Sequence, residues 1–529
     1  MKKILIFAVT IMTGLVLVCQ ASALTVVEGF IASNTTWSDD ILLRGPVFVR
    51  AGATLTINAG VTVYGEKATL GTLIIDRGAK LNAIGTEDNP IIYTSDQPAG
   101  LRNRADNGGL IINGYSTLNV PGGTKEGEGD TGIFGCSGAD CNENDNSGTL
   151  RYFRVEYGGI QFSPDNELNG IAFQGVGKGT TVDHVQVAFS KDDCVEFFGG
   201  TVDVKNIIMT GCGDDSLDWT DGWRGSGQFL VVQQIGDEAD NGIEADNLDK
   251  ANDSLPRSNP NLYNMTFVGD PDFGEGSTRG MLLRRGTAGN IRNSIVMGFK
   301  EAGVNIDSLA TFTQAEEGNL VVDNNIFFNN SPNFDTDASD PDAASLPFTT
   351  EQFMTQNMQY NLQGDPKLND PYNLQEADFR PAADSPAVNG NVPVAAPPAG
   401  NTFIQATDYI GAVDPDDDWT RQPWTTYGTA PWTEPTTTTT VPVTTTTTAP
   451  VTTTIPGPCP SEAIYGENSE EVALLRYIRD DILNSTPEGQ EIIRLYYELS
   501  PLIVETIEKD EALKGELKNL IDGILMLYR

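Results

Sequence analysis

A chain of 529 residues with 73 acidic and 33 basic side chains carries a formal charge of −40. That balance excludes nucleic acid as a partner, because phosphate neutralisation needs clustered Lys and Arg. It fits solubility and cation binding instead, and the length allows a large core and more than one domain.

Residues 1–23 read as an export signal. Met1-Lys2-Lys3 is a basic start, Ile4 to Val18 an apolar stretch, and Ala21-Ser22-Ala23 a small-x-small cleavage site. The mature chain is expected to start at Leu24 and to work outside the cell or at its surface. No later apolar run reaches the about 20 residues that span a membrane. Export permits disulfides. Cys136 and Cys141 share one Gly-rich loop and form the first expected pair; Cys194 and Cys212 pair if a turn brings their backbones close. Cys459 is left over, and a single histidine cannot build a zinc site.

Residues 24–334 read as short strands at a regular period. Val47-Phe48-Val49 leads into Gly52-Ala53-Thr54-Leu55-Thr56-Ile57, and Gly78-Ala79-Lys80-Leu81 repeats the turn-and-strand pattern 26 residues later. Alternating β-branched residues bounded by Gly and Asn are strand signals. Many short strands at such a period predict an all-β fold, a parallel β-helix solenoid rather than a sandwich. A ladder of asparagines fixes the register: Asn206, Asn264, Asn293 and Asn324 each follow an apolar residue by two and precede mostly apolar residues. Stacked Asn side chains at a turn are expected to satisfy one another and the backbone. His184 occupies the same position in Val182-Asp183-His184-Val185, which makes it a ladder residue rather than a catalytic base.

Three acidic segments repeat within the solenoid: Asp192-Asp193-Cys194-Val195-Glu196, Asp214-Asp215-Ser216-Leu217-Asp218 and Asp240-Asn241-Gly242-Ile243-Glu244. If they stack, Glu196, Asp218 and Glu244 form a column on one face. Strands stack at about 4.8 Å, so each neighbouring pair repels by roughly 1 kcal/mol in water and more in a drier groove. A cation, a proton or a substrate would compensate. Strict alternation points Val195, Leu217 and Ile243 inward together with Phe197, Trp219 and Ala245. Trp219 is thus core, and Trp223 is the candidate for a sugar-stacking surface. The column runs on into Leu282 and Asn305, so the acids are local. Arg284 and Arg285, at the positions of Asp246 and Asn247, border them. The loop Asp140-Cys141-Asn142-Glu143-Asn144-Asp145 also alternates hard oxygens, although neither Asp145 nor Arg151 meets the calcium-loop pattern.

Residues 335–433 lose the repeat and are read as the C-terminal capping region, since an uncapped coil exposes its core and a sheet edge. Residues 434–458 are almost pure Thr with Pro and Val, an extended linker. Residues 459–529 switch to helical patterning, with Val472, Leu475 and Ile482 on one face and Leu513, Leu517 and Leu520 on another.

The ladders, together with Phe198-Gly199-Gly200-Thr201-Val202 and Pro256-Arg257-Ser258, resemble a family of secreted bacterial proteins over most of residues 37–415. The resemblance implies a right-handed parallel β-helix like that of the pectate lyases. Residues 459–529 are similar to the CFI-box domain through Cys459, Tyr465-Gly466, Leu475-Arg476, Arg479-Asp480 and Tyr496-Tyr497 with Ser500-Pro501. Here Pro460-Ser461 follows the cysteine in place of Phe-Ile. This second resemblance implies surface sorting as the domain's task, with sorting machinery as its partner.

Two functions follow as expectations. The first is calcium-dependent binding of extracellular polysaccharide or cell-surface glycan, through Glu196, Asp218, Glu244, Trp223, Arg284 and Arg285. The second, implied by likeness to pectate lyases, is a calcium-dependent lyase or a glycoside hydrolase acting on acidic glycans. Asp214, Asp215, Asp218 and Glu244 would then hold the metal as hard oxygen ligands. Asp215, Asp218, Glu244 and Arg284 are the catalytic candidates, with Arg284 or Lys191 as a base whose pKa neighbouring cations lower. Asp192-Asp193 resembles the paired-Asp segment of polygalacturonases, but the Gly-His-Gly and Arg-x-Lys segments of that family are absent. Ordinary turn chemistry, with Asp favouring turns, explains the same repeat without any ligand.

Overall fold

The computed structural model describes residues 24–427 except 164–165 and 337–342, and three isolated positions beyond them. The residues read as an export signal, the Thr-rich linker, Cys459 and all but those positions of the segment read as CFI-box-like lie outside the described residues. Within them the chain winds a parallel β-helix whose main sheet has 26 strands.

Each coil contributes to three columns of parallel strands. The first holds the short strands Leu110–Asn113, Ile171–Gln174, Val195–Phe198, Leu217–Thr220 and Ile243–Ala245 in register. The second and third share one longer stretch, as in Thr181–Ala188, Asp203–Thr210 and Ser226–Gln233. From Tyr152 to Asn324 a single left-handed residue bends that stretch in the middle of each coil. Tyr152, His184, Asn206, Phe229, Asn264, Asn293 and Asn324 align there, all with φ between 48° and 63°. Asn tolerates this conformation best among residues with a side chain, which explains its recurrence. His184 stands in the ladder, its Nδ1 2.7 Å from Asp183 Oδ1.

The inward positions form one continuous core from Ile31 to Phe353. Aromatic rings stack along its axis: Phe173 on Phe197 at 5.2 Å, and Phe197 on Trp223 at 4.0 Å. Trp219 and Trp223 are both fully buried. Trp223 is therefore no sugar platform. It occupies the interior stack, and its Nε1 donates to Val202 O at 3.2 Å.

Two additions cover the outside. An insertion carrying the hairpin Thr124–Glu126/Ile133–Gly135, with the hairpin after Ile160, roofs the early first column. It buries Ile74, Ile111, Ala172 and Phe198 beneath Leu118, Phe134 and Leu168. Residues 362–427 run back along the third-column side as a strap, packing Phe379, Tyr409, Ile410 and Trp424 on Ile208, Val231, Ile295 and Ile326. The Asn ladder bonds to this strap instead of to itself. Asn264 Nδ2 donates to Tyr409 O at 3.1 Å, Asn293 Nδ2 to Ala395 O at 2.9 Å, and Asn324 Nδ2 to Pro393 O at 2.8 Å. Closer to the last coil, Phe348 and Phe353 pack with Phe312 of the helix Leu309–Glu316.

Candidate functional site

The three acidic segments stack residue for residue. Val195, Leu217 and Ile243 align, as do Glu196, Asp218 and Glu244. Nine positions on three coils thus form a lattice of three columns, and eight of them are carboxylates: Asp192, Asp214 and Asp240 on the rim, Asp193 and Asp215 with Asn241 in the middle, and Glu196, Asp218 and Glu244 on the strands.

The middle column is turn architecture. Asp193 Oδ1 accepts from Asp215 N at 3.0 Å, and Asp215 Oδ1 accepts from Asn241 N at 2.6 Å and Asn241 Nδ2 at 2.8 Å. Each carboxylate thereby satisfies a backbone N–H of the next coil, which would otherwise be orphaned. The Cys194–Cys212 disulfide, with Cα atoms 5.5 Å apart, ties the same two turns together beneath them. The second expected pair, Cys136–Cys141, is formed as well and closes the loop of the insertion.

The strand column lacks such a ladder. Glu196 Oε2 accepts from Asn169 Nδ2 at 2.6 Å, and Glu244 is held by Arg284. Between them, Asp218 Oδ1 is buried without a hydrogen-bond partner, and so is Asn169 Oδ1. Asp193, Glu196 and Asp218 offer oxygens within 4.8 Å of one another, as do Asp215, Asp218 and Glu244. Asp218 belongs to both triads. Two further groups, Asp192-Asp193-Asp214 and Asp214-Asp215-Asp240, continue them to the rim.

Crowding sets the protonation of this lattice. Burial first, then the Glu167 and Asp214 charges, push Asp192 up to about 8. Burial and Asp240 push Asp214 up to about 6. Burial raises Glu244 to about 7 against the pull of Arg284. Asp193, Glu196, Asp215 and Asp218 are all pushed well up, by burial and then by the carboxylates around them, Asp192 for Asp193, Asp218 for Glu196, and Glu244 for both Asp215 and Asp218. Without a cation the lattice therefore retains protons near neutral pH.

Arg284 does border the acids. Its Nε lies 2.9 Å from Asp246 Oδ1, and Arg285 Nη1 lies 2.6 Å from Asp246 Oδ2. Its expected role as a base is corrected by its surroundings. Burial pulls its pKa down, but Glu244 and Asp246 outweigh that and raise it above the ordinary arginine value. Carboxylates, not cations, are its neighbours, and they hold the guanidinium charged. Lys191 Nζ pairs with Glu238 Oε2 at 2.5 Å.

Sequence reading did not foresee the roof's share in the site. Lys125 Nζ reaches Asp221 Oδ2 at 3.1 Å, and Glu128 faces Glu167 from the insertion. No spacing in the chain could bring residues 125 and 221 together before the insertion is folded over the column. The loop at residues 140–145 is committed elsewhere. Asp145 Oδ2 accepts from Tyr115 N at 3.2 Å, and Glu143 Oε2 pairs with Arg224 Nη2 at 3.0 Å.

No helix among the described residues is long and apolar enough to cross a membrane. No curated protein and no solved structure matches the chain. The family model described as a pectate-lyase-like β-helix domain matches residues 29–366, which hold every coil described above. The chain thus belongs to the pectate-lyase-like β-helix family.

Proposed function

We propose that this is an exported β-helix protein that binds extracellular polysaccharide through a calcium ion held in the acidic lattice. Asp218 carries the reading: it is shared by two carboxylate triads, and one of its oxygens is buried with no partner. Calcium takes six to eight oxygens at about 2.3–2.6 Å, so ligand oxygens of one ion lie within about 5 Å of each other, as these do. Asp193, Glu196, Asp215, Asp218 and Glu244 would hold the ion, which would supply the positive charge that the lattice lacks. The rim acids Asp214 and Asp240 would complete its coordination or face a glycan's own carboxylates across it.

The family supports a polysaccharide-related role. Two disulfides suit an oxidising exterior, and the CFI-box-like segment would hold the protein at the surface through sorting machinery. Binding ranks above a lyase that uses Arg284, because such a lyase needs a neutral base and Glu244 and Asp246 hold Arg284 charged.

The test is calorimetric titration of calcium into the chelator-treated full chain, followed by retention on polygalacturonate with calcium or with EDTA. The wild type should bind calcium, and Asp218→Asn should bind it at least about tenfold more weakly, the effect of 1.4 kcal/mol. Absence of calcium binding by the wild type ends the proposal. Shortened polygalacturonate chains in calcium alone would replace binding with cleavage.

A further inference from the structure

We infer that a second site, for a neutral hydroxyl-rich oligosaccharide, lies at the corner between the first and second columns. This rests on the polysaccharide reading but not on calcium, since the carboxylate lattice is at the opposite end of the first-column strands. An open groove of about 790 Å³ lies there, within the range of about 300–1,000 Å³ usual for small-ligand clefts. Three segments remote in sequence wall it. Glu143 comes from the insertion, Lys178, Asp203, Arg224 and Asn261 from successive coils, and Phe403 from the strap.

The walls are fixed before any ligand arrives. The coil corner turns tightly because Gly199 and Gly200 have φ of +66° and +81°, and a Cβ on Gly200 would stand 2.4 Å from Val176 O. Arg224 Nη2 and Ser116 Oγ both donate to Glu143 Oε2, at 3.0 and 2.5 Å. Asp203 Oδ1 accepts from Ser226 N at 2.7 Å. The strap is pinned by Asn401 Nδ2 donating to Ser226 Oγ at 3.0 Å and Lys205 Nζ donating to Phe403 O at 2.9 Å. A site built in advance loses less entropy on binding.

Its chemistry selects the ligand. Two carboxylates and two cations cancel in charge, whereas the lattice is strongly anionic. A polyanion would meet Glu143 and Asp203, and a metal ion would meet Lys178 and Arg224. An apolar molecule would take water from all four without replacing its hydrogen bonds. Sugar hydroxyls both donate and accept, so they suit alternating acceptors and donors, and Phe403 supplies an apolar flank for the C–H face of a ring.

The experiment titrates the full chain in EDTA with hexasaccharides of β-1,4-linked glucose, xylose or mannose, and with hexagalacturonate. At least one neutral probe should bind, and hexagalacturonate should not. Phe403→Ala and Lys178→Ala should each weaken that binding at least tenfold, and Asp218→Asn should leave it unchanged. Lys178 is exposed, so its variant decides the matter even if Phe403→Ala loosens the strap. Failure of all three neutral probes, indifference to both variants, or loss of binding in Asp218→Asn overturns the inference. Loss of calcium binding with this site intact would overturn only the calcium proposal.

Discussion

Two columns of acids climb the same three coils, and they do different work. In the middle column Asp193 and Asp215 each accept from a backbone N–H of the coil above, so their charge serves the turn. Three residues further along each coil, Glu196, Asp218 and Glu244 stack on a strand where the sheet already pairs every backbone group. Their charge has no backbone to serve. The same residue type, in the same coil, thus serves the turn in one column, while in the other it has no backbone to serve and leaves Asp218 with an unpartnered oxygen.

The comparison assumes that both columns stand on one rigid base, and Trp223 tests this most severely. Its ring lies 4.0 Å from Phe197, inside the coils that carry the acids. Trp223→Ala should cost about 3–5 kcal/mol, the usual penalty for emptying a buried aromatic site, measured by chemical denaturation. A loss below about 1 kcal/mol, typical of surface positions, would return Trp223 to the exterior and unsettle the lattice geometry above it.

Proton linkage tests the stored repulsion directly. The raised acids bind protons more tightly in the folded protein than in the unfolded chain. Their contribution to stability is therefore full below the ordinary carboxylate range and is lost as pH rises through their folded values. With Asp214 at about 6, Glu244 at about 7 and Asp192 at about 8, the loss falls between pH 5 and 8. The chelated protein should melt roughly 2–3 °C lower at pH 8 than at pH 5, equivalent to about 2 kcal/mol in a domain of this size. Calcium should restore the difference at pH 8. A melting temperature that rises with pH in EDTA would mean that the lattice is already neutralised by the protein.

Single substitutions then separate the columns. Asp215→Ala leaves Asn241 N without its acceptor and should cost about 1–3 kcal/mol in EDTA, and more in calcium, where it also removes a ligand. Asp218→Asn removes one like charge and should stabilise the chelated protein at pH 8 by about 1 kcal/mol, while abolishing the calcium gain. Equal and opposite results, seen by thermal melts with and without EDTA, would exchange the roles assigned to the two columns.

Much of this was legible in the chain because a solenoid writes its geometry as a period. The 22- and 26-residue spacings of the acids gave the true register, and the Asn positions gave the bend, because only the left-handed region demands Asn so regularly. Phe229 stands in that ladder without any sequence signal, its conformation imposed by neighbouring coils. Trp223 was misplaced because it sits in a corner beyond the end of a strand, where alternation no longer says which way a side chain points. The roof and the strap were illegible for a different reason. Lys125 meets Asp221, and Asn264 meets Tyr409, across separations of 96 and 145 residues that obey no repeat.

The rim gives the finest distinction. Asp240 accepts from the Thr278 hydroxyl and lies at the edge of the lattice, half-buried rather than enclosed. Asp240→Asn keeps an acceptor for that hydroxyl and removes a charge that solvent partly screens, so stability should change by no more than about 0.5 kcal/mol. Calcium affinity should fall by a smaller factor than in Asp218→Asn, because a rim carboxylate is replaceable by water in a coordination shell and a shared central one is not. Calorimetry on the two variants side by side reads this ratio. A larger loss from Asp240→Asn than from Asp218→Asn would move the ion from the strand column to the rim, and the glycan contact with it.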